Sequence, residues 1–144
     1  MLNRQLATEI EKVASRNALT GTFNRRMFDD EMASLESRCS LTGDKFLLLL
    51  IDVDHFKSIN DNYGHLKGEE ILRELANIVL SIIRTEDYFA RFGGDEFFVL
   101  LPSTDTTEVF LIAYHLHEKY ALATFKAGDK FINTSLSIGV VNCL

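Results

Sequence analysis

At 144 residues, 47% of them hydrophobic and 25% charged, the chain is sized for one domain that buries its own core without staples. Its net charge of −6 excludes the basic face of a duplex nucleic-acid binder, although an acidic protein still binds nucleotides when metal ions offset the phosphates. Cys39 and Cys143 have no metal-ligand spacing and read as free thiols in a reducing cytoplasm.

No apolar run approaches the roughly 20 residues of a membrane span. The start Met1-Leu2-Asn3-Arg4-Gln5 lacks the apolar stretch of a signal peptide. The expectation is a soluble cytoplasmic module with no direct membrane insertion.

Residues 2–16 carry Leu2, Leu6, Ile10 and Val13 at helical spacing. So narrow a stripe packs either on the core or against a copy of itself as a short coiled coil. Asn24 reads as the N-cap of a second helix with Phe28, Met32 and Leu35 inward. Arg25 and Arg26 fall in its first turn, where the helix dipole disfavours positive charge, so an acidic or anionic partner or plain solvation must offset them.

Residues 46–53 are nearly continuous apolar sequence, the mark of a strand covered on both faces, and end in Asp52-Val53-Asp54. The segment from His55 to His65 is polar and Asn/Gly-marked, and reads as a loop holding at most a short helical turn. A helix over 67–83 follows, with Ile71, Leu72, Leu75, Val79 and Ile82 inward. Residues 88–92 and 96–101 then read as strands joined by Gly93-Gly94-Asp95-Glu96, a tight hairpin with two acids at its tip. Asp105 with Glu108 resembles a capping box for a helix whose inner face is Val109, Ile112, Ala113, Leu116 and Tyr120. Ala127-Gly128-Asp129 marks a turn, and Ile132, Thr134, Leu136, Ile138 and Val140 alternate as a final strand.

From Phe46 the order is strand, helix, strand, strand, helix, strand. The expected fold class is α+β: a ferredoxin-like βαββαβ core, an antiparallel sheet with helices packed on it, preceded by a helical segment. That topology brings the end of the first strand, with Asp52, beside the hairpin tip, with Asp95 and Glu96. Convergent carboxylates repel unless a hard cation sits between them, and Mg²⁺ favours one or two carboxylates plus phosphate oxygens. A pair of such ions serves in-line displacement at a nucleotide phosphate. His55-Phe56-Lys57 would offer backbone N–H groups and an ammonium to the outer phosphates. Taken singly, each residue has a plainer reading: Asp52 a turn acid, Asp95 and Glu96 a solvated tip, Lys57 surface charge, Asn60 a loop-stabilising side chain. His65 reads as structural, and His115 and His117 as helix-surface residues.

With these residues in view, the chain resembles the GGDEF family, the diguanylate cyclase domains, along almost its whole length. Gly93-Gly94-Asp95-Glu96-Phe97 is that family's signature letter for letter. Asn17-Ala18-Leu19-Thr20-Gly21-Thr22-Phe23-Asn24-Arg25-Arg26 is similar to its opening block. Ile51 to Asp61 matches the second block, Tyr63-Gly64-His65 with Gly68 and Leu72 the third, and Ser137-Ile138-Gly139-Val140 the last. The resemblance extends to the palm domains of nucleotidyl cyclases and polymerases, and divides the chain into a linker or signalling helix over 1–16 and the domain over 17–144.

The resemblance implies condensation of two GTP into cyclic di-GMP with release of two pyrophosphates, in a homodimer whose two halves face each other. It implies two Mg²⁺ (or Mn²⁺) ions per site, held by Asp52, the Val53 carbonyl, Asp95 and Glu96, with Glu96 alternatively activating the hydroxyl. Asn60 and Glu69 would meet the guanine edge, His55, Phe56 and Lys57 would lie along the triphosphate, and Gly93 and Gly94 would also bind GTP. Arg84-Thr85-Glu86-Asp87, just upstream of the hairpin, resembles the family's inhibitory product site, in which Arg84 and Asp87 would bind cyclic di-GMP. An upstream sensory domain is implied as a partner.

Three departures stand out. Asn17 replaces the usual Asp, Glu69 replaces the Asp that reads guanine, and the chain ends at Leu144, before the helix whose Lys and Arg normally reach the phosphates. The competing reading is a catalytically silent module that senses GTP or cyclic di-GMP and regulates an attached phosphodiesterase.

Overall fold

The computed structural model describes residues 24–142; the opening stripe, residues 17–23 and Cys143 lie outside them. Helix α1 (Arg25–Thr42) starts where predicted: the Asn24 side chain accepts from Met27 N at 3.1 Å. It stops at Gly43, whose N–H bonds Cys39 O. Phe28, Leu35 and Cys39 form its buried face.

Strand β1 (Phe46–Val53) is apolar throughout because both its faces are covered, apart from Asp52. Leu47, Leu49, Ile51 and Val53 join the main core, whereas Phe46 and Leu48 join a second cluster beneath α1. The helices therefore do not all lie on one side, for α1 packs on the face opposite the rest. Fully burying one such aliphatic side chain stabilises by about 1.5–3 kcal/mol, so a strand covered on both faces anchors the sheet.

The segment expected to be mostly loop is a helix, α2 (Phe56–Tyr63), with Phe56 and Ile59 buried. Gly64 separates it from α3 (His65–Ile82), which buries Ile71, Leu72, Leu75, Ala76, Ile78 and Val79. Strands β2 (Tyr88–Gly93) and β3 (Glu96–Pro102) form the hairpin. Helix α4 (Thr106–Ala121) begins with the Asp105 side chain accepting from Glu108 N at 2.7 Å. The Glu108 carboxylate, the other half of the expected capping box, lies 3.9 Å from Arg84. Val109, Leu116 and Tyr120 are buried, with Ile112 and Ala113 packed partly buried beside them.

The expected single closing strand is two. Short strands β4 (Phe125–Ala127) and β5 (Lys130–Ile132) pair as a separate ribbon, and β6 (Leu136–Asn142) joins the main sheet. That sheet is antiparallel in the order β2-β3-β1-β6, the ferredoxin-like arrangement. No helix among the described residues is long and apolar enough to cross a membrane.

Candidate active site

Strand β1 runs beside β3 with Asp52 directly opposite Glu96, and beside β6 with Asp52 opposite Ser137. The hairpin brings Asp95 to the same place. Gly93 pairs with Glu96 across a two-residue Gly94-Asp95 turn, and the register shifts between Arg91 and Gly93. Gly93 has φ 141° and open space where a Cβ would stand, a backbone region that other residues enter only under strain. Below the tip, Phe97 is fully buried and stacks on Phe89 at 5.4 Å, and Phe92 packs edge-on to Phe28 at 4.8 Å. The acids thus stand on a hairpin whose base is fixed in both hydrophobic clusters.

The electrostatics show how closely the acids converge. The Asp52 carboxyl is pushed up to about 7, chiefly by its hydrogen bond with the Asp95 carboxyl. Partial burial and the charges of Asp95, Glu96 and Asp54 add to the push. Among the described residues no three His, Cys, Asp or Glu side chains are already gathered as a metal cage. The donor set is nevertheless all hard oxygen at one end of two adjacent strands, with the Asp52 and Asp95 carboxyls in hydrogen-bond contact, which fits Mg²⁺. Val53 is buried by its side chain at the end of β1, so only its backbone could take part.

Asp54, two residues on, has a different task. It accepts hydrogen bonds from Ser135 Oγ (2.6 Å) and Ser137 Oγ, and its backbone N–H donates to Ser135 O at 2.9 Å. The two hydroxyls lower its pKa. Asp54 ties the end of β1 to the start of β6, and sequence reasoning did not assign it this role.

The expected phosphate segment begins at His55, which takes a left-handed φ of 57° at the head of α2. His55 and Lys57 are exposed, but Phe56 turns into the core, so it can meet a ligand only through its backbone. Asn60 on α2 lies against the first turns of α3, which carry Glu69; the Glu69 carboxylate reaches Arg73 at 3.9 Å. Arg25 lies over the Phe92 ring at 5.2 Å and 3.9 Å from Asp29, which offsets its unfavourable place in the first turn of α1.

Arg91 was missed. Its guanidinium donates to Gly94 O from Nε (3.0 Å) and Nη2 (2.7 Å), bracing the hairpin turn from beneath. Burial lowers its pKa, while the charges of Glu69 and Asp95 oppose that shift, so the guanidinium lies within electrostatic reach of both carboxylates. The signal available was an arginine three residues before the second glycine of the turn. A shallow cavity of about 470 Å³ adjoins the acids, lined by Leu50, Asp52, Glu96, Phe98, Ser137 and Gly139 among others.

Arg84 and Asp87 are together, but turned toward each other. Arg84 Nη2 donates to Asp87 Oδ1 (2.8 Å), Pro102 O (2.9 Å) and Thr104 Oγ1 (2.6 Å), and Arg84 Nε lies 3.4 Å from Glu86. The Asp87 side chain has no exposed surface. Its hydrogen bond raises the Arg84 pKa against the opposing effect of burial.

A family model described as "Diguanylate cyclase, GGDEF domain" matches residues 14–143. The chain is 40% identical over 131 residues to the response regulator PleD of Caulobacter vibrioides, covering 90% of this chain and 29% of PleD. It is 34% identical to the diguanylate cyclase VdcA of Vibrio cholerae, over 97% of this chain and 41% of VdcA. The chain therefore spans less than half of either relative. Among solved structures, the diguanylate cyclase SiaD of Pseudomonas aeruginosa, crystallised with its activator SiaC, superposes with a TM-score of 0.89 at 30% identity, over 96% of this chain and 54% of that one. The GGDEF domain of DgcB from Caulobacter crescentus, crystallised with c-di-GMP, gives 0.84 at 26% identity, over 88% of this chain and 76% of that one. With its hairpin sequence, its palm-like sheet and these matches, the chain belongs to the GGDEF family.

Proposed function

We propose that this chain is the catalytic half of a homodimeric diguanylate cyclase. Each subunit holds one GTP, and the 3′-hydroxyl of each attacks the α-phosphate of the other, forming two phosphodiester bonds and releasing two pyrophosphates. The observation that carries this reading is the convergence of the Asp52 and Asp95 carboxyls within hydrogen-bond contact, with Glu96 opposite Asp52 on the neighbouring strand. Asp52, Asp95, Glu96 and the Val53 carbonyl would hold the divalent cations, which when bound neutralise phosphate charge and acidify the attacking hydroxyl. The protein's own contributions are positional. Arg91 braces the turn that presents Asp95. Glu96 is available as acceptor for the hydroxyl proton. The exposed Lys57 ammonium and the backbone N–H groups at the head of α2 suit the outer phosphates, and Asn60 and Glu69 suit the guanine edge.

Product inhibition at Arg84 and Asp87 fits the position of that pair, with a condition attached. The guanidinium already bonds Asp87, Pro102 and Thr104, so cyclic di-GMP must recruit its remaining donors or displace an internal partner. The second reading, nucleotide binding without turnover, is favoured by Glu69, whose carboxylate extends toward Arg73.

Incubating the chain, dimerised through an N-terminal coiled-coil fusion, with GTP and Mg²⁺ separates the two. Chromatography should show about two pyrophosphates for each cyclic di-GMP, both abolished by EDTA and by Asp52→Asn. GTP binding by calorimetry with no product would replace the cyclase by the sensor.

A further inference from the structure

Gly68 has no backbone reason to be a glycine. It lies in the first turn of α3 with ordinary helical geometry, where alanine is the better helix former. Its reason is space. A Cβ built there would fall 1.9 Å from Asn60 Oδ1, 3.0 Å from Asn60 Cγ and 3.1 Å from Phe56 Cζ. The Asn60 carboxamide occupies the volume that any other residue at 68 would fill.

The same carboxamide holds an anomaly. Asn60 Oδ1 is the one buried side-chain polar atom without a hydrogen-bond partner among the described residues. A buried acceptor with nothing to accept from is unfavourable, and natural chains keep few of them. Asn60 as a whole is only partly buried, so the glycine-sized recess holds the Oδ1 end of the carboxamide while the rest of the side chain stays near the surface. Glu69 follows Gly68 directly, so the recess also fixes how near the amide stands to that carboxylate.

We propose that Gly68 is a positioning residue for base recognition: by leaving room for the Asn60 carboxamide against α3, it sets the amide at the place where a purine edge is read. This rests on the cyclase reading, in which Asn60 and Glu69 face guanine, and extends it to a residue that touches no ligand.

The test is a double-mutant cycle on the coiled-coil-dimerised chain, using Gly68→Ala, Asn60→Ala and the double variant. Calorimetry with Mg²⁺ follows two probes, a non-hydrolysable GTP analogue and inorganic tripolyphosphate. Displacing a recognition group by about an ångström costs up to about a hundredfold. Gly68→Ala should therefore weaken the GTP analogue by about ten- to a hundredfold while leaving tripolyphosphate affinity unchanged. In the Asn60→Ala background the same change should cost nothing more, because the group it displaces is gone. Should the methyl group itself destabilise the single variant, the double variant recovers the thermal midpoint, since Asn60 no longer occupies the recess.

Unchanged GTP-analogue affinity in a folded Gly68→Ala protein overturns the proposal. So does an equal penalty in both backgrounds, which would route the effect through Phe56. Failure of the unmutated chain to bind the GTP analogue is a different result: it removes the guanine-site reading and this role with it.

Discussion

Replacing Arg84 by alanine should destabilise the domain before it says anything about ligand binding. In Arg84→Ala the Asp87 carboxylate, whose side chain has no exposed surface, loses the guanidinium from both oxygens and keeps only the backbone N–H of residue 84 on Oδ2, at 2.7 Å. Pro102 O retains Thr104 Oγ1 at 2.9 Å, so the loss concentrates on the acid. Removing one partner of a buried ion pair costs about 3–5 kcal/mol. The Arg84 side chain is 31% exposed, so water moderates the loss and about 3 kcal/mol is the better expectation. For a domain of this size that lowers the thermal midpoint by about 10 °C. Differential scanning fluorimetry at pH 7 measures it, with Arg84→Lys recovering only part because an ammonium lacks the fork that reaches Asp87, Pro102 and Thr104 together. A midpoint within about 2 °C of the parent chain would refute the clamp. The result bears on the proposed product site too: lost cyclic di-GMP binding in Arg84→Ala is informative only at a temperature where the variant is folded.

Gly93→Ala should cost about 1–3 kcal/mol in urea unfolding, all of it backbone strain at φ 141°, because the added methyl group meets nothing. Arg91→Met keeps much of the buried stem but removes both bonds to Gly94 O, and should lower turnover by about tenfold, with little change in the thermal midpoint. Asp54 carries a pH signature. Its folded pKa lies below the ordinary 3.8, so its stabilisation is present above that value and disappears as pH falls through the lower folded one. Stability followed by circular dichroism against pH should therefore fall less steeply in acid in Asp54→Asn, with the difference from the parent chain greatest near neutrality and vanishing at the acid end.

The sequence made legible whatever is encoded by repetition or by special residues. An apolar run from Phe46, flanked by alternating and helical patterns, gave β1 and the sheet order, and with them the meeting of Asp52 with the hairpin acids. The double glycine and the Asn24 and Asp105 caps are local signals and appeared where expected. Helix α2 was harder to see, because only Phe56 and Ile59 mark its inner face and the His55 side chain makes no cap bond. The β4–β5 ribbon has strands of three residues, too short for alternation to distinguish them from the strand that follows. Long-range partners left no trace at all. Arg84 meets Pro102 and Thr104 from 18 and 20 residues away, and Asp54 meets Ser135 and Ser137 across more than 80. Arg91 works through a backbone carbonyl, which no side-chain motif encodes.

The β1–β3 ladder runs in unbroken register from Phe46 opposite Pro102 to Asp52 opposite Glu96. Sliding one strand by a single residue would turn Asp52 into the core and bring Ile51 or Val53 out. The address of the acids is thus written in the aliphatic residues of β1 and β3 as much as in the acids themselves. One substitution at Asp52 removes the acid and leaves this ladder as it is, whereas moving the acid to a new place means re-registering a strand whose aliphatic residues fill both hydrophobic clusters.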